Sequence, residues 1–509
     1  MTSPAAISES ASLSGSDAKR AARNVSALMI ASIISKGALY IWQLVLSPWL
    51  GPSEYGIYGT VGGLMVNAAA VASFGMGLIV IRDVARDPSK AGRYWSAMLY
   101  IQTILALIAY VAMNGVAVGY SETLRAFAAL AGINLFIDLF GNMGHDLLLA
   151  QEEMVKTSLV EIAHIFFRIG LALLALMAGW GLLGVYGAAI VSGIVRSTLL
   201  VSFNLRMGVR PAFPFDRSVA RPLITNSAPL ALASFLTLAY QHSDKLMTTG
   251  ILGERVTGYL TAAFVINFGV IELFSTSVLV AAYPLLARYY NDGSNPIFGG
   301  MIEKLARYML IIGVPLALSI SLLADKIMAP LLGEAYAPSA GILSLLIWYT
   351  AISMFGAVFS KGLLIQNQQR RLLIIRGAGL ALNVALTAIL LIHWGDPRGA
   401  VIASIIGEIL VVGLLLKGFR AAGWKLRYVA NSAARLLIVA APMMLALMTL
   451  REQFILLPVL GGAGLYITGL LLARILRADD WDLLYRLAAS LPGGGFLLRF
   501  WQRDVELIG

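Results

Sequence analysis

No cysteine occurs in the 509-residue chain, so disulfides, thiolate metal sites and cysteine nucleophiles are excluded. Histidine is scarce, with four residues and no H-E-x-x-H pattern, so neither a metal site nor another cofactor is expected. Charged residues make up only 13% of the chain, against about a quarter in a soluble domain. No Walker A pattern is present, so the chain is not expected to power itself with ATP.

Apolar surface takes the place of charge. Hydrophobic residues make up 59% of the chain and the mean hydropathy is +0.81, so the solvent for most of the chain is lipid. A helical span needs about 20 mostly apolar residues. Fourteen runs qualify: 25–47, 57–81, 94–115, 124–149, 158–178, 182–204, 224–250, 258–287, 305–324, 338–364, 372–393, 399–417, 433–450 and 455–474. Residues 1–24 are polar and rich in small side chains and read as a disordered cytoplasmic tail. The first apolar run is too long for a signal-peptide core and lacks an A-x-A site, so it reads as a retained span.

Lysine and arginine set the orientation. With the N-terminus inside, the inner segments hold 28 of them and the outer loops five. Basic residues concentrate in cytoplasmic loops, so both termini read as cytoplasmic. The net charge of +11 is thereby explained without nucleic acid as a partner.

The sequence also repeats. Offset by 202 residues, Asn24 meets Asn226, Leu50-Gly51 meets Leu252-Gly253, Gly56 meets Gly258 and Ala85-Arg86 meets Ala287-Arg288. LLLAQEE (147–153) resembles GLLIQNQ (362–368) at an offset of 215, and YGAAIVSG (186–193) resembles RGAVIASI (398–405) at 212. Two homologous halves of six spans follow. An even number of spans gives both halves one orientation, with the pseudo-symmetry axis along the membrane normal. The expected fold is therefore all-α and polytopic, with about 14 transmembrane helices. Two pseudo-symmetric six-helix lobes, 25–215 and 216–425, surround a central cavity, followed by two extra spans in 426–475 and an interfacial cytoplasmic tail, 476–509. Within that tail Trp481, Leu484, Leu487 and Leu491 fall at helical spacing. The LGPSEYG and LGERVTG segments read as outer turns, with glycine for backbone freedom and no direct substrate role.

LGPSEYGIYG with FGMGLIVIRDVAR (74–86), residues 227–266, AAYPLLARYY (281–290) and GDPRGAVIASIIGE (395–408) resemble, in order, segments of the polysaccharide-transporter (Wzx-type) flippases. These belong to the multidrug/oligosaccharidyl-lipid/polysaccharide exporter superfamily. The resemblance spans nearly all of 20–425. It implies transfer of an undecaprenyl-diphosphate-linked oligosaccharide from the inner to the outer leaflet of a bacterial inner membrane, for O-antigen or exopolysaccharide export. Polysaccharide polymerase and glycosyltransferases would be the partners. Peptidoglycan lipid II flippases and cation or drug antiporters share the superfamily, and a membrane glycosyltransferase or polymerase is the alternative of another class.

A charge at mid-bilayer costs roughly 2.5–3.5 kcal/mol on insertion scales, so it faces a cavity or a partner. Lys36, Arg168 and Arg196 lie inside spans of the first half and give it a cationic interior, suited to a diphosphate. Arg82, Arg288 and Lys245 join them as substrate-binding candidates. Asp138, Asp244, Glu272 and Glu408 are candidates for proton or sodium coupling, or for pairing. The plainer readings are that Arg168 pairs with Glu161 or Asp138, that Arg82, Arg288 and Lys361 snorkel to headgroups, and that Trp42, Trp180 and Trp394 form interfacial belts.

Overall fold

A computed structural model of the chain describes residues 15–214, 216–290, 296–421, 427–475 and 480. Among them regular structure is helical, as lipid demands of a backbone that must satisfy its own hydrogen bonds. The helices are α1 (Gly15–Ser73), α2 (Met76–Arg86), α3 (Ala91–Ala117), α4 (Glu122–Ala150), α5 (Met154–Met177), α6 (Gly181–Arg206), α7 (Arg217–Leu252), α8 (Glu254–Val270), α9 (Ser277–Tyr289), α10 (Pro296–Leu322), α11 (Ala324–Leu332), α12 (Ser339–Ile365), α13 (Gln369–Trp394), α14 (Arg398–Ala421), α15 (Arg427–Thr449) and α16 (Leu456–Leu472).

Twelve helical stretches among the described residues are long and apolar enough to cross a membrane, and Leu456–Leu472 is a shorter apolar helix. The first stretch, Ser26–Arg86, contains two of the expected spans, because Gly51 at φ 68° breaks α1 between Pro48 and Pro52. All fourteen expected apolar runs are thus helical. Three details differ from the sequence reading. Helix α1 begins at Gly15, inside the segment read as a tail. The second span breaks at Phe74 and Gly75, both at positive φ, before α2. Between the expected runs 305–324 and 338–364 lies a short helix, α11, which begins at Ala324. The remainder of the C-terminal tail, apart from Asp480, lies outside the described residues.

The chain divides into two compact units. The larger comprises Met1–Val270, Ile327–Tyr349 and Gln369–Val411, the smaller Ile271–Lys326, Thr350–Gln368 and Val412–Gly509. In the larger, α1 packs on α3, α4, α5, α7 and α8, while α6 packs on α4 and α5 and α13 on α7. In the smaller, α10 packs on α15 and α15 on α16. There Asp480, 1% exposed, accepts from Arg307 and from the Tyr308 hydroxyl, both at 2.5 Å. The outer surface is apolar: Leu472, Ile438 and Met177 are more than 70% exposed, as lipid-facing side chains are. The interior is rich in alanine and glycine, which let helices approach closely.

The duplication is visible in the backbone. Gly51 (φ 68°, ψ 171°) and Gly253 (φ 85°, ψ 175°) hold one conformation at an offset of 202. Glu152 and Asn367, at an offset of 215, both take a left-handed φ, 60° and 56°. After them the Glu153 and Gln368 amides donate to the carbonyls of Leu148 and Leu363, each at 2.9 Å.

The second glycine of each repeated segment has a different role from the one read in the sequence. A methyl group on Gly56 would fall 1.8 Å from the Glu254 carbonyl oxygen, and one on Gly258 would fall 1.8 Å from that of Pro52. Pro52 and Glu254 are themselves equivalents in the repeat, so the contact is reciprocal. The second half of α1 and α8 cross here with backbone against backbone. Around the crossing, Thr60 and Thr249 share a hydrogen bond of 2.6 Å, and Thr249 donates to Thr257 at 2.9 Å. Overpacking a tight contact typically costs 1–3 kcal/mol. Gly56→Ala and Gly258→Ala are expected to destabilise the protein in detergent by about that much or more. Gly62→Ala, at a helical site with nothing within 4 Å, is expected to be neutral or to gain up to about 1 kcal/mol. A thermal unfolding series checks the contrast.

Candidate functional site

Helical spacing builds a charged cavity inside the first half. Asn134, Asp138 and Asn142 recur every four residues on α4. Glu161, His164 and Arg168 follow at i, i+3 and i+7 on α5, with Ala189 and Arg196 seven apart on α6. These eight residues line a cavity of about 210 Å³. Arg196 is 8% exposed. Its Nε and Nη2 donate to Glu161 Oε1 at 2.8 and 2.6 Å, and Nη2 also donates to Asn142 Oδ1 at 3.0 Å. Gly141 leaves room for the guanidinium, since a methyl group there would lie 2.7 Å from Nη1. Arg168, half-buried, stands in the same wall.

The cavity thus gathers three of the expected charges: Arg168, Arg196 and Asp138. Its character is mixed where the sequence implied a cationic one. Glu161 takes Arg196, although the plainer reading of Arg168 had offered Glu161 or Asp138 as its partner. Burial forces the choice, because an arginine this enclosed needs a carboxylate.

A second polar cluster joins α7, α13 and α14. Asp244, 4% exposed, accepts from Ser404 at 2.5 Å and Thr387 at 3.4 Å. Asn383 donates to Ser404 at 3.0 Å and accepts from Ser243 at 3.0 Å. One turn along α7 and α14, the Tyr240 hydroxyl donates to Glu408 Oε2 at 2.9 Å. Arg376 Nη1 lies 3.5 Å from the same oxygen. Glu408 is fully buried, and its Oε1 has no hydrogen-bond partner among the described residues.

Lys36, Arg82 and Lys245 are not among the residues that line the first cavity. Lys36 is exposed on α1. Arg82 is exposed on α2 and donates to Asp83 at 2.8 Å. Lys245 is buried, its ammonium 5.2 and 5.9 Å from the ring centres of Phe264 and Phe268. Glu272 lies in a π-helical turn, Ile271–Thr276, and Arg288 is exposed near the end of α9, both in the smaller unit. Lys361 sits 5.9 Å over the Tyr283 ring. Trp180 and Trp394 are exposed, as a belt requires, but Trp42 is 3% exposed and belongs to the core.

Sequence reasoning missed Arg376, Tyr240, Asn383, Thr387 and Ser404. Arg376 lies inside the expected run 372–393 but was not named among the candidates; α13 begins at Gln369 and carries it two turns into the helix. One signal pointed to it: Glu408, inside an apolar run, needs a donor from another helix.

Comparison with known proteins agrees with this architecture. No curated protein sequence matches the chain. Lipid II flippase MurJ in an inward closed conformation superposes with a TM-score of 0.72 at 12% identity, covering 88% of this chain and 98% of that one. An inward-facing multidrug resistance transporter of the MATE family superposes with a TM-score of 0.61 at 18% identity, covering 79% and 98%. A MOP superfamily transporter from Pyrococcus furiosus, described as having a binding pocket of reversed polarity, gives 0.55 at 18%, covering 79% and 95%. The profile of the polysaccharide biosynthesis protein family matches residues 45–341, more than half of the chain, and the chain belongs to that family.

Proposed function

We propose that the protein is a flippase that carries an undecaprenyl-diphosphate-linked oligosaccharide from the inner to the outer leaflet of a bacterial inner membrane. Alternating access moves the polar headgroup while the polyprenyl tail stays in lipid. Glycosyltransferases supply the cargo and a polysaccharide polymerase consumes it. The observation that carries this reading is a charged, walled cavity within the membrane-spanning helices of a polysaccharide biosynthesis protein. Arg168 and Arg196 supply donors for acidic groups, and Asn134, Asn142 and His164 supply partners for hydroxyls. Because Glu161 and Asp138 offset the arginines, the site holds its cargo loosely enough to release it. A lipid II flippase is the second reading, favoured by the superposition on MurJ.

Direction comes from the membrane potential, from a proton or sodium gradient, or from both. Moving a negative charge outward from a negative interior gains about 2.3 kcal/mol per 100 mV, and a diphosphate about twice that. Asp244 is the coupling residue in this scheme: a buried carboxylate ringed by hydroxyl and amide groups suits a small cation.

In proteoliposomes, flipping of a fluorescent lipid-linked oligosaccharide is expected to speed up under an outward-directed driving potential. Arg168→Ala is expected to slow it about tenfold or more, the loss of one charge-assisted contact. Insensitivity to both voltage and ion gradients overturns the energetic scheme. Orientation is checked separately, since a chain without cysteine reports any introduced thiol cleanly. Ser89→Cys is expected to label only from the cytoplasmic side and Glu122→Cys only from outside, both positions being exposed. Reversed labelling rejects the topology.

A further inference from the structure

The two ion pairs occupy one position of the duplicated fold with their charges exchanged. At the offset of 215, Glu161 corresponds to Arg376 and Arg168 to Asn383; at 212, Arg196 corresponds to Glu408. In the first half the acid stands on α5 and the base on α6. In the second the base stands on α13 and the acid on α14.

What stands beside each pair differs. Next to Glu161 and Arg196 is the open cavity. Next to Arg376 and Glu408 is Tyr240, 5% exposed, its hydroxyl on Glu408. A methyl group on Gly379 would meet the Tyr240 ring at 3.8 Å, and one on Gly407 would meet its hydroxyl at 3.5 Å. Gly379 corresponds to His164, a wall residue of the first-half cavity. At the offset of 202, Tyr240 corresponds to Ala38. A phenol therefore fills the second-half position; in the first half the residue equivalent by sequence is Ala38, and Glu161, His164 and Arg196, the equivalents of Arg376, Gly379 and Glu408, line an open cavity.

We propose that the first-half cavity is a subsite for a single sugar ring bearing an anionic group, a carboxylate or a phosphate ester, and that Tyr240 is the built-in occupant of the equivalent second-half position. Tyr240 is a six-membered ring whose hydroxyl donates to the acid on α14. On α6 the corresponding residue is Arg196, which donates, so the occupant must present an acceptor. Arg168 in place of Asn383 adds a second cationic donor and selects a full negative charge over a neutral hydroxyl. A cavity of about 210 Å³ holds one such ring and not a chain of them. The subsite rests on the reading of the protein as a carrier of glycans.

Binding to the purified full-length protein tests it, with glucuronate, glucose 1-phosphate and glucose as probes, read by calorimetry. The wild type is expected to bind one or both anionic sugars and to bind glucose about tenfold more weakly or worse. Ala38→Tyr introduces the plug and is expected to lose anionic-sugar binding. Arg168→Gln, which adds no bulk, is expected to lose about tenfold even if Ala38→Tyr folds poorly. Tyr240→Ala opens the second position, whose acid faces the space, and is expected to gain binding of glucosamine that the wild type lacks. Glucose bound as tightly as glucuronate and glucose 1-phosphate, or anionic-sugar binding unchanged in Ala38→Tyr and Arg168→Gln, overturns the subsite. Flipping measured on the same preparations separates the two readings. Wild-type flipping that survives in Ala38→Tyr rejects the subsite alone, and ring binding without any flipping rejects the transport reading alone.

Discussion

A charge in hydrocarbon must find a partner, and that constraint organises the interior of this protein. Arg196 reaches from α6 to Glu161 on α5. Glu408 on α14 is held by Tyr240 on α7 and approached by Arg376 on α13. Asp244 on α7 takes hydroxyls from α13 and α14. These ties join helices that also meet through alanine, glycine and aliphatic side chains, whose contacts alone set no register. Removing one partner leaves a buried charge or a stranded donor, which costs several kcal/mol. The polar ties therefore fix which helices pair and at what register, and the small residues between them decide how closely.

The spans were legible in the sequence because the bilayer demands one length and one composition. The duplication was legible because backbone devices recur with their residues: Gly51 with Gly253, and Glu152 with Asn367, share left-handed φ values. The roles of Gly56 and Gly258 were not. A glycine near a turn and a glycine at a helix crossing look alike until the facing carbonyl is known. The same holds for Trp42, since an interfacial and a buried tryptophan sit in equally apolar surroundings along the chain.

The charged residues were easy to find singly and hard to pair. Glu161 and Arg168 share a helix face, which made their pairing one plain reading, yet the partner of Glu161 is 35 residues away on α6. Helical periodicity states which residues share a face and says nothing of which face another helix presents. The second-half ties are longer still, with Tyr240 and Glu408 separated by 168 residues. The repeat carried part of the missing information, because a pair found in one half nominates its equivalents in the other. Read for chemistry instead of identity, Glu161 and Arg196 point to Arg376 and Glu408 despite the change of sign.

That change of sign leaves the fold intact for a simple reason. Coulomb attraction between two helices is the same whichever of them carries the positive charge. A duplicated bundle can exchange the charges of one pair and keep its helix packing, so the tie survives while the group it offers to a neighbour inverts. One half then presents a guanidinium to whatever lies beside it and the other a carboxylate. Tyrosine, with a hydroxyl that can donate, gives one oxygen of the carboxylate a partner from within the chain. No neutral side chain supplies the negative charge that would satisfy a guanidinium equally well, so the first half meets that need with its own acids at the cavity wall and keeps the space beside them for an acceptor brought from outside.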